Sequence, residues 1–284
     1  TAFVWSVRRE LWENRSIWMA PVVLAGLVLL GFAASSHVLL DRWRGFAALG
    51  EAGLRAVAFK PFGLAASAIL LTGWIVGVFY AADALHGERR DRSILFWKSM
   101  PVSDLVTVLA KAAIPLVVLP LVSVALALAT QAIMLLVGGV VLAANGFPAS
   151  TLWALLPWVQ ATLVMVYGMA VHALWFAPIF AWLLLVSAWA RRAPLLWAFL
   201  PFFAALAVEA IAFGTRHVAA LLRFRLTGAM ANAFEADAMR EAIVEIGQLD
   251  PVRFLSTPGL WVGLAFAAAC LMAAAWLRRH REPL

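Results

Sequence analysis

The sequence predicts an all-α polytopic membrane protein with six transmembrane helices. Of its 284 residues, 65% are hydrophobic and 13% are charged, whereas a soluble domain is usually about half apolar and about a quarter charged. Six apolar runs reach the length of about 18 residues that a helix needs to cross a hydrocarbon core of ~30 Å. No linker of biased composition divides the chain, so we expect residues 1–284 to form one transmembrane domain.

The six runs lie at about 17–36, 62–83, 105–130, 160–190, 194–213 and 259–277. The third and fourth runs continue well beyond the length of one span. This predicts either tilted, kinked or extended helices or an extra re-entrant or interfacial piece near Trp153, Pro157 and Trp158. Pro115, Pro120, Pro157 and Pro178 mark the candidate kinks, because proline removes a backbone hydrogen bond inside a helix.

The orientation follows from the basic residues in the short loops. With both termini in the cytoplasm, the inner segments carry twelve Lys and Arg residues within residues 8–15, 89–98, 191–192 and 278–281. The outer segments then carry nine, spread over the longer stretches 42–60 and 216–253. The positive-inside rule therefore favours cytoplasmic termini.

Two segments outside the spans are predicted to be helical. Residues 1–15 place Phe3, Val7 and Leu11 one turn apart, with the charged residues mostly on other faces, as in an amphipathic helix at the membrane interface. Residues 214–258 alternate apolar and charged residues and predict a helical extracytoplasmic segment, which either re-enters the membrane or forms a cap.

The usual motifs of catalysis and cofactor binding do not occur in the sequence. None of the lysines, Lys60, Lys98 and Lys111, follows a glycine, so the chain has no P-loop for ATP. Its five histidines are scattered, and Cys270 is its one cysteine. We expect no catalytic residue, no metal and no cofactor in this chain. The net charge of +7 fits anionic lipid and topology better than nucleic acid.

Three polar residues inside the spans are candidates for a transport pathway, because polar groups in a bilayer are costly. They are Gln131, His172 and Glu209. Each has a structural alternative: Gln131 and His172 can bond across helices, and Glu209 can reach the outer interface.

The most unusual passage is HGERRDRSILFWKSMPVSD, residues 86–104, between the second and third spans. It is too long for a tight turn and combines charges with an aromatic tip. On one helix, Ile94, Leu95 and Trp97 would form an apolar face and Glu88 and Asp91 would belong to a polar face. Ser103 or Asp104 would cap the next helix.

This passage resembles the loop after the second span of the ABC type-2 exporter permeases. The matching elements are Glu88-Arg89, the hydrophobic turn 94–97, Ser99-Met100-Pro101-Val102-Ser103 and Lys111. The chain departs from the common family pattern at Asp91-Arg92-Ser93, where the family has a glycine-threonine pair. The overall layout of helices is also similar to that family.

The resemblance implies a permease subunit in the cytoplasmic (inner) membrane of a bacterium, working as a homodimer with two copies of a separate ATPase subunit. ATP and Mg would then be bound by the ATPase. The passage at 86–104 would be the coupling helix that enters a groove of the ATPase. Its contact residues would be Glu88, Arg89, Arg90, Asp91, Ile94, Leu95, Phe96, Trp97 and Pro101.

The apolar, aromatic spans favour a hydrophobic cargo, such as a lipid-like molecule, a peptide or a drug. Two other hypotheses stay open at the level of sequence. One is a polytopic membrane enzyme that acts on lipid, which would need His172 or Glu209. The other is a noncatalytic membrane anchor or sensor.

Overall fold

The computed structural model describes residues 2–35, 38, 41, 50–93, 102–148, 150–155, 157–235 and 246–280, and only the backbone of 50–57, 151 and 155. In these ranges the regular structure is helical, apart from one isolated β-bridge between Phe234 and Leu249. The prediction of an all-α protein is confirmed for the described residues.

We number the helices in chain order. They are α1 Ala2–Glu13, α2 Ser16–Ala34, α3 Gly50–Asp83, α4 His86–Arg90, α5 Asp104–Ala113, α6 Leu119–Ala144, α7 Ser150–Leu155, α8 Trp158–Trp189, α9 Pro194–Val208, α10 His217–Ala233, α11 Pro251–Ser256 and α12 Pro258–His280. Two π-helical turns, Ile114–Val118 and Glu209–Phe213, follow α5 and α9, and a 3₁₀ turn covers Ile246–Gln248.

The described residues contain six candidate membrane spans, at Ser16–Ala34, Ala58–Arg90, Asp104–Ala144, Trp158–Trp189, Pro194–Phe213 and Pro258–His280. All six fall on predicted runs. Their outer surfaces carry large exposed apolar side chains, such as Leu30, Val140 and Phe203, as expected of helices whose solvent is lipid. The prediction of a multi-pass membrane protein is confirmed.

The third span is one long helical run with a widened turn in its first half. Pro115 lies in the π-helical turn between α5 and α6, and Pro120 follows at the start of α6. Proline cannot donate the usual backbone hydrogen bond, and a π turn accommodates the interruption. This turn occupies one of the predicted kink positions.

Helix α8 lies at the centre of the bundle. Trp175 and Phe180 on this helix are fully buried. Small residues join it to α12, where Ala177 and Ala181 pack with Ala267 and Cys270. Small side chains allow two membrane helices to approach closely.

In the described part of the segment between the fifth and sixth spans, the predicted helical structure is present as α10 and α11, and α10 packs against the bundle. The Tyr167 hydroxyl of α8 donates to the Ala233 carbonyl of α10 at 3.1 Å. Arg225 of α10 reaches the middle of α8, where its Nη1 donates to the Trp175 carbonyl at 3.0 Å. Helix α10 therefore lies along α8.

Helix α1 differs from the prediction in its buried face. Trp5 and Trp12 are exposed, as suits an interfacial helix, and Val7 and Leu11 pack against the bundle. The side chain buried most deeply on α1 is Glu10, 1% exposed. The buried side of α1 therefore holds a carboxylate beside the apolar residues Val7 and Leu11.

Candidate functional site

The short helix α4 is fastened to the end of α8. Its first turn begins where the backbone amides of Leu85 and His86 donate to the Ser187 hydroxyl, at 3.0 and 2.9 Å. The Arg89 guanidinium donates to the Ala190 carbonyl, just after α8 ends. These bonds satisfy backbone groups that a helix terminus leaves free, and they fix the position of α4 relative to α8.

Glu88 connects α4 to three more helices. Its Oε1 lies 3.1 Å from Lys111 Nζ of α5 and 3.3 Å from Arg9 Nη2 of α1. Its Oε2 lies 3.1 Å from Arg278 Nη2 of α12. The Glu88 carboxylate is thus the common partner of cations from three helices.

Glu10 forms the second centre of the same cluster. Its Oε1 lies 2.9 Å from Lys111 Nζ and 2.6 Å from Arg9 Nη2. Its Oε2 accepts a hydrogen bond of 2.7 Å from the Tyr80 hydroxyl of α3. Burial opposes ionisation of Glu10, but Lys111, Arg9 and Tyr80 outweigh it and hold the pKa of this carboxyl below its usual value.

Asp104, at the start of α5, completes the cluster by pairing with Arg278 Nη1. We call these six residues the ion network: Arg9, Glu10, Glu88, Asp104, Lys111 and Arg278. It holds three carboxylates and three cations, so its formal charges balance. Lys111 and Arg278 are 2% and 4% exposed, and such buried cations are stable only with well-placed partners.

The ion network connects helices that are distant in the sequence. It joins α1, α4, α5 and α12, and α4 is joined in turn to α8. Ion pairs in a protein interior are weak evidence for stability, because removing the charges from water is costly. They do impose a specific arrangement, since each of the four helices must present its charge at the same place. A displacement of α4 therefore acts on four other helices.

The predicted coupling residues divide into three groups. Glu88 and Arg89 are buried, 8% and 3% exposed, so neither presents its side chain to a partner protein. Arg90 and Asp91 are exposed and pair with each other at 3.0 Å. The others, Ile94, Leu95, Phe96, Trp97 and Pro101, lie outside the described residues.

Glu88, which was expected on a polar face of the coupling helix, directs its side chain toward the bundle. Helix α4 also ends at Arg90, because Arg92 adopts the left-handed conformation with φ of 57°. The predicted cap is confirmed at Ser103, whose Oγ accepts a hydrogen bond from the Val106 amide at 3.3 Å.

The three pathway candidates lie apart from one another. The Gln131 side chain donates to the Phe62 carbonyl at 3.2 Å, which joins α6 to α3. The Glu209 carboxylate accepts hydrogen bonds from the Thr215 hydroxyl and the Val218 amide, both at 2.8 Å, and so caps α10. These contacts match the structural alternative for Gln131 and give Glu209 a capping role that the sequence did not predict.

His172 has a different environment. Its ring lies 5.0 Å from the Phe176 ring and 6.1 Å from the Phe180 ring. It lines a cavity of about 320 Å³ between α3, α6, α8 and α10. His172 is thus the pathway candidate that lines this cavity.

Sequence reasoning missed the pairing of Glu10 with Lys111 and of Arg278 with Glu88. A signal was present for Lys111, which lies two turns inside an apolar run, where a cation needs a partner. Glu10 shares a helical face with Val7, which was also readable. The partner of each residue could not be predicted from the sequence, because Glu10 and Lys111 are 101 residues apart.

Scans against protein-family models, curated proteins and solved structures find no match for this chain.

Proposed function

We propose that this chain is the permease subunit of an ATP-driven ABC exporter, coupled to a separate ATPase subunit through residues 86–104. The observation that carries the proposal is the attachment of α4. This five-residue helix is bonded to α8 through Ser187 and Ala190. It is bonded to α1, α5 and α12 through Glu88.

Such an attachment suits a segment that transmits force. A loop that only sets topology needs cations at the interface and has no use for a buried carboxylate. In the proposed mechanism, ATP-driven closure of the ATPase subunits displaces residues 86–104. The bonds of Glu88 and Arg89 then carry the displacement into α1, α5, α8 and α12, because packed helices move as rigid bodies.

This mechanism separates two roles within the passage. Glu88 and Arg89 are positioning residues that hold α4 on the bundle. Arg90 and Asp91 are exposed and form the docking side, which the resemblance extends to residues 94–101. Exposed charges orient a partner, and aromatic side chains supply the affinity.

The remaining features of the proposal follow from the resemblance and from composition. Two copies of the chain would enclose the pathway and two ATPase subunits would bind ATP and Mg. The assembly would lie in a bacterial inner membrane, with both termini of the chain in the cytoplasm. The apolar surfaces of the spans favour a hydrophobic cargo.

Site-specific photocrosslinking tests the docking side. We would replace Asp91 with p-benzoylphenylalanine and irradiate membranes of the source organism. The expected product joins this chain to an ATP-binding subunit of the ABC type. The matched control is the same replacement at Asn145, an exposed residue that directly follows the C-terminal end of α6. It should give no such product. Equal labelling from both positions, or capture of an unrelated protein at Asp91, would contradict the proposal.

A second measurement tests transmission apart from docking. In nanodiscs, the complete complex should hydrolyse ATP at a rate different from that of the ATPase subunit alone. With Glu88→Gln, the crosslink from position 91 should persist while this difference disappears. If the folded variant still changes the rate as the native chain does, Glu88 does not transmit the motion.

A further inference from the structure

The cavity of about 320 Å³ within the bundle has the features of a ligand site. Its volume falls in the range of small-molecule pockets, about 300–1,000 Å³. Most of its wall is apolar and flexible, with Val164, Met165 and Met169 from α8 and Met230 from α10. Methionine side chains adapt to ligands of different shape.

Polar groups without protein partners also border this cavity. Ser123 of α6 is 1% exposed, and its hydroxyl has no hydrogen-bond partner among the described residues. The same is true of the indole nitrogen of Trp74 on α3. His172 contributes an imidazole to the wall. Buried polar groups are nearly always paired in native proteins, so two unpaired groups on residues that line one cavity point to a missing hydrogen-bond partner there.

The backbone of α8 keeps the cavity open. Gly168 lines the cavity, and a Cβ placed on it would meet no atom within 4 Å. Glycine inside a helix is less stable than alanine, and here it leaves the space unfilled. Leu226 and Met230 of α10 line the cavity and are exposed, so the cavity opens along α10.

We propose that this cavity binds an uncharged, mainly apolar small molecule with a hydrogen-bonding oxygen. The apolar part contacts the Val and Met side chains, and the oxygen is placed among Ser123, Trp74 and His172. A charged ligand does not fit, because the described lining residues include no Asp, Glu, Lys or Arg and an unpaired charge in such a place is costly. The site lies within one copy of the chain and does not depend on the proposed ATPase partner.

The test uses a photoreactive diazirine derivative of 1-octanol on the full chain in nanodiscs. Peptide mapping should place adducts on the lining residues of α6, α8 or α10, and excess unlabelled ligand should suppress them. Suppression by octanol identifies a small amphiphile as sufficient, and suppression by dioleoylglycerol alone identifies a neutral membrane lipid. If neither suppresses labelling, or if adducts fall only on lipid-facing residues such as Leu30, the site does not exist.

Two variants sharpen this result. Gly168→Leu fills the cavity and should abolish suppressible labelling. Its matched control is Gly31→Leu, because Gly31 of α2 also has no neighbour within 4 Å and is exposed, so labelling should be unchanged. A variant at position 168 that labels like the native chain overturns the proposal.

Ser123→Ala tests the polar contact and covers the case in which Gly168→Leu does not fold. Loss of one neutral hydrogen bond should weaken competition by octanol about threefold to tenfold. Competition by octane, which lacks the hydroxyl, should stay the same. Equal competition by octanol in both proteins would show that Ser123 does not bind the oxygen, and would overturn the assignment.

Discussion

The molecule holds buried and partly buried cations in two different ways. In the ion network, Lys111 and Arg278 face carboxylates from other helices. On α10, Arg225 binds only neutral groups among the described residues. Its Nη1 donates to the Trp175 carbonyl at 3.0 Å and its Nη2 to the Gly259 carbonyl at 2.8 Å. Its guanidinium also lies 4.8 Å from the centre of the Trp175 ring.

The two arrangements should differ in how strongly they respond to the loss of one partner. In the ion network every charge depends on charges of other helices, so loss of one carboxylate leaves buried cations without a full set of partners. The Arg225 contact is a local fastening between α10, α8 and the start of α12. Its loss leaves two carbonyls and one ring, which are neutral. We therefore expect the ion network to be the more sensitive of the two.

The largest effect is expected from Glu88→Ala, which removes the carboxylate shared by Arg9, Lys111 and Arg278. Breaking a buried ion pair by removing one partner costs about 3–5 kcal/mol. Thermal unfolding in detergent, followed by size-exclusion chromatography, measures the loss. Asp91→Ala is the control, because Asp91 is exposed one turn away. Equal unfolding temperatures for the two variants would show that the ion network does not stabilise the bundle.

The Glu10–Lys111 pair should show energetic coupling. Glu10→Gln and Lys111→Met each leave the other charge without one of its partners, so the double variant should be less destabilised than the sum. We expect a coupling energy of about 1–3 kcal/mol from a double-mutant cycle.

Acid should remove the same coupling. The pKa of Glu10 is lower in the folded chain than in the unfolded chain. Its contribution to stability is therefore present above the unfolded pKa, about 4.3, and is lost as the pH falls through the folded pKa. Additive effects of Glu10→Gln and Lys111→Met on the free energy of unfolding at pH 7 would mean that the Glu10 and Lys111 charges do not interact.

The positions of the spans could be predicted from the sequence, and the partners in the ion network could not. An apolar run of sufficient length allows few structures other than a helix in lipid, so the predicted run 194–213 coincides with the observed span. Pairing depends on which helix ends meet. That choice is made by packing between distant parts of the chain, such as α1 and α5.

The contact of Arg225 with Trp175 could not be predicted from the sequence either. By sequence it was one of several cations in a loop, and its neighbour Arg223 is indeed exposed. Arg225 is two residues further along α10, on the face that packs against α8, so its guanidinium contacts the Trp175 ring. The periodicity of α10 was readable, but the helix against which it packs was not.

An intermediate effect is expected from Arg225→Leu. The change removes two hydrogen bonds to carbonyls and the contact with the Trp175 ring. Because hydrogen bonds from charged groups contribute about 1.5–3 kcal/mol, and Arg225 is only partly buried, we expect a loss of about 1–2 kcal/mol in the free energy of unfolding. Arg223→Leu is the matched control on the same helix. A loss as large as that of Glu88→Ala would remove the distinction between the two ways of holding a cation.

The smallest effect is expected from Gln131→Leu, which tests a contact between two neutral groups. The Gln131 amide donates to the Phe62 carbonyl at 3.2 Å and is 4% exposed. Hydrogen bonds between membrane helices contribute about 0.6 kcal/mol on average, so the unfolding temperature should fall slightly. Gln160→Leu, at an exposed position near the start of α8, should leave it unchanged. Since Gln131 joins α6 to α3, transport by the proposed complex should persist in the variant. Abolished transport in a protein of near-native stability would instead place Gln131 on the cargo pathway. The hydrogen bond between α6 and α3 would then have a role in transport as well as in packing.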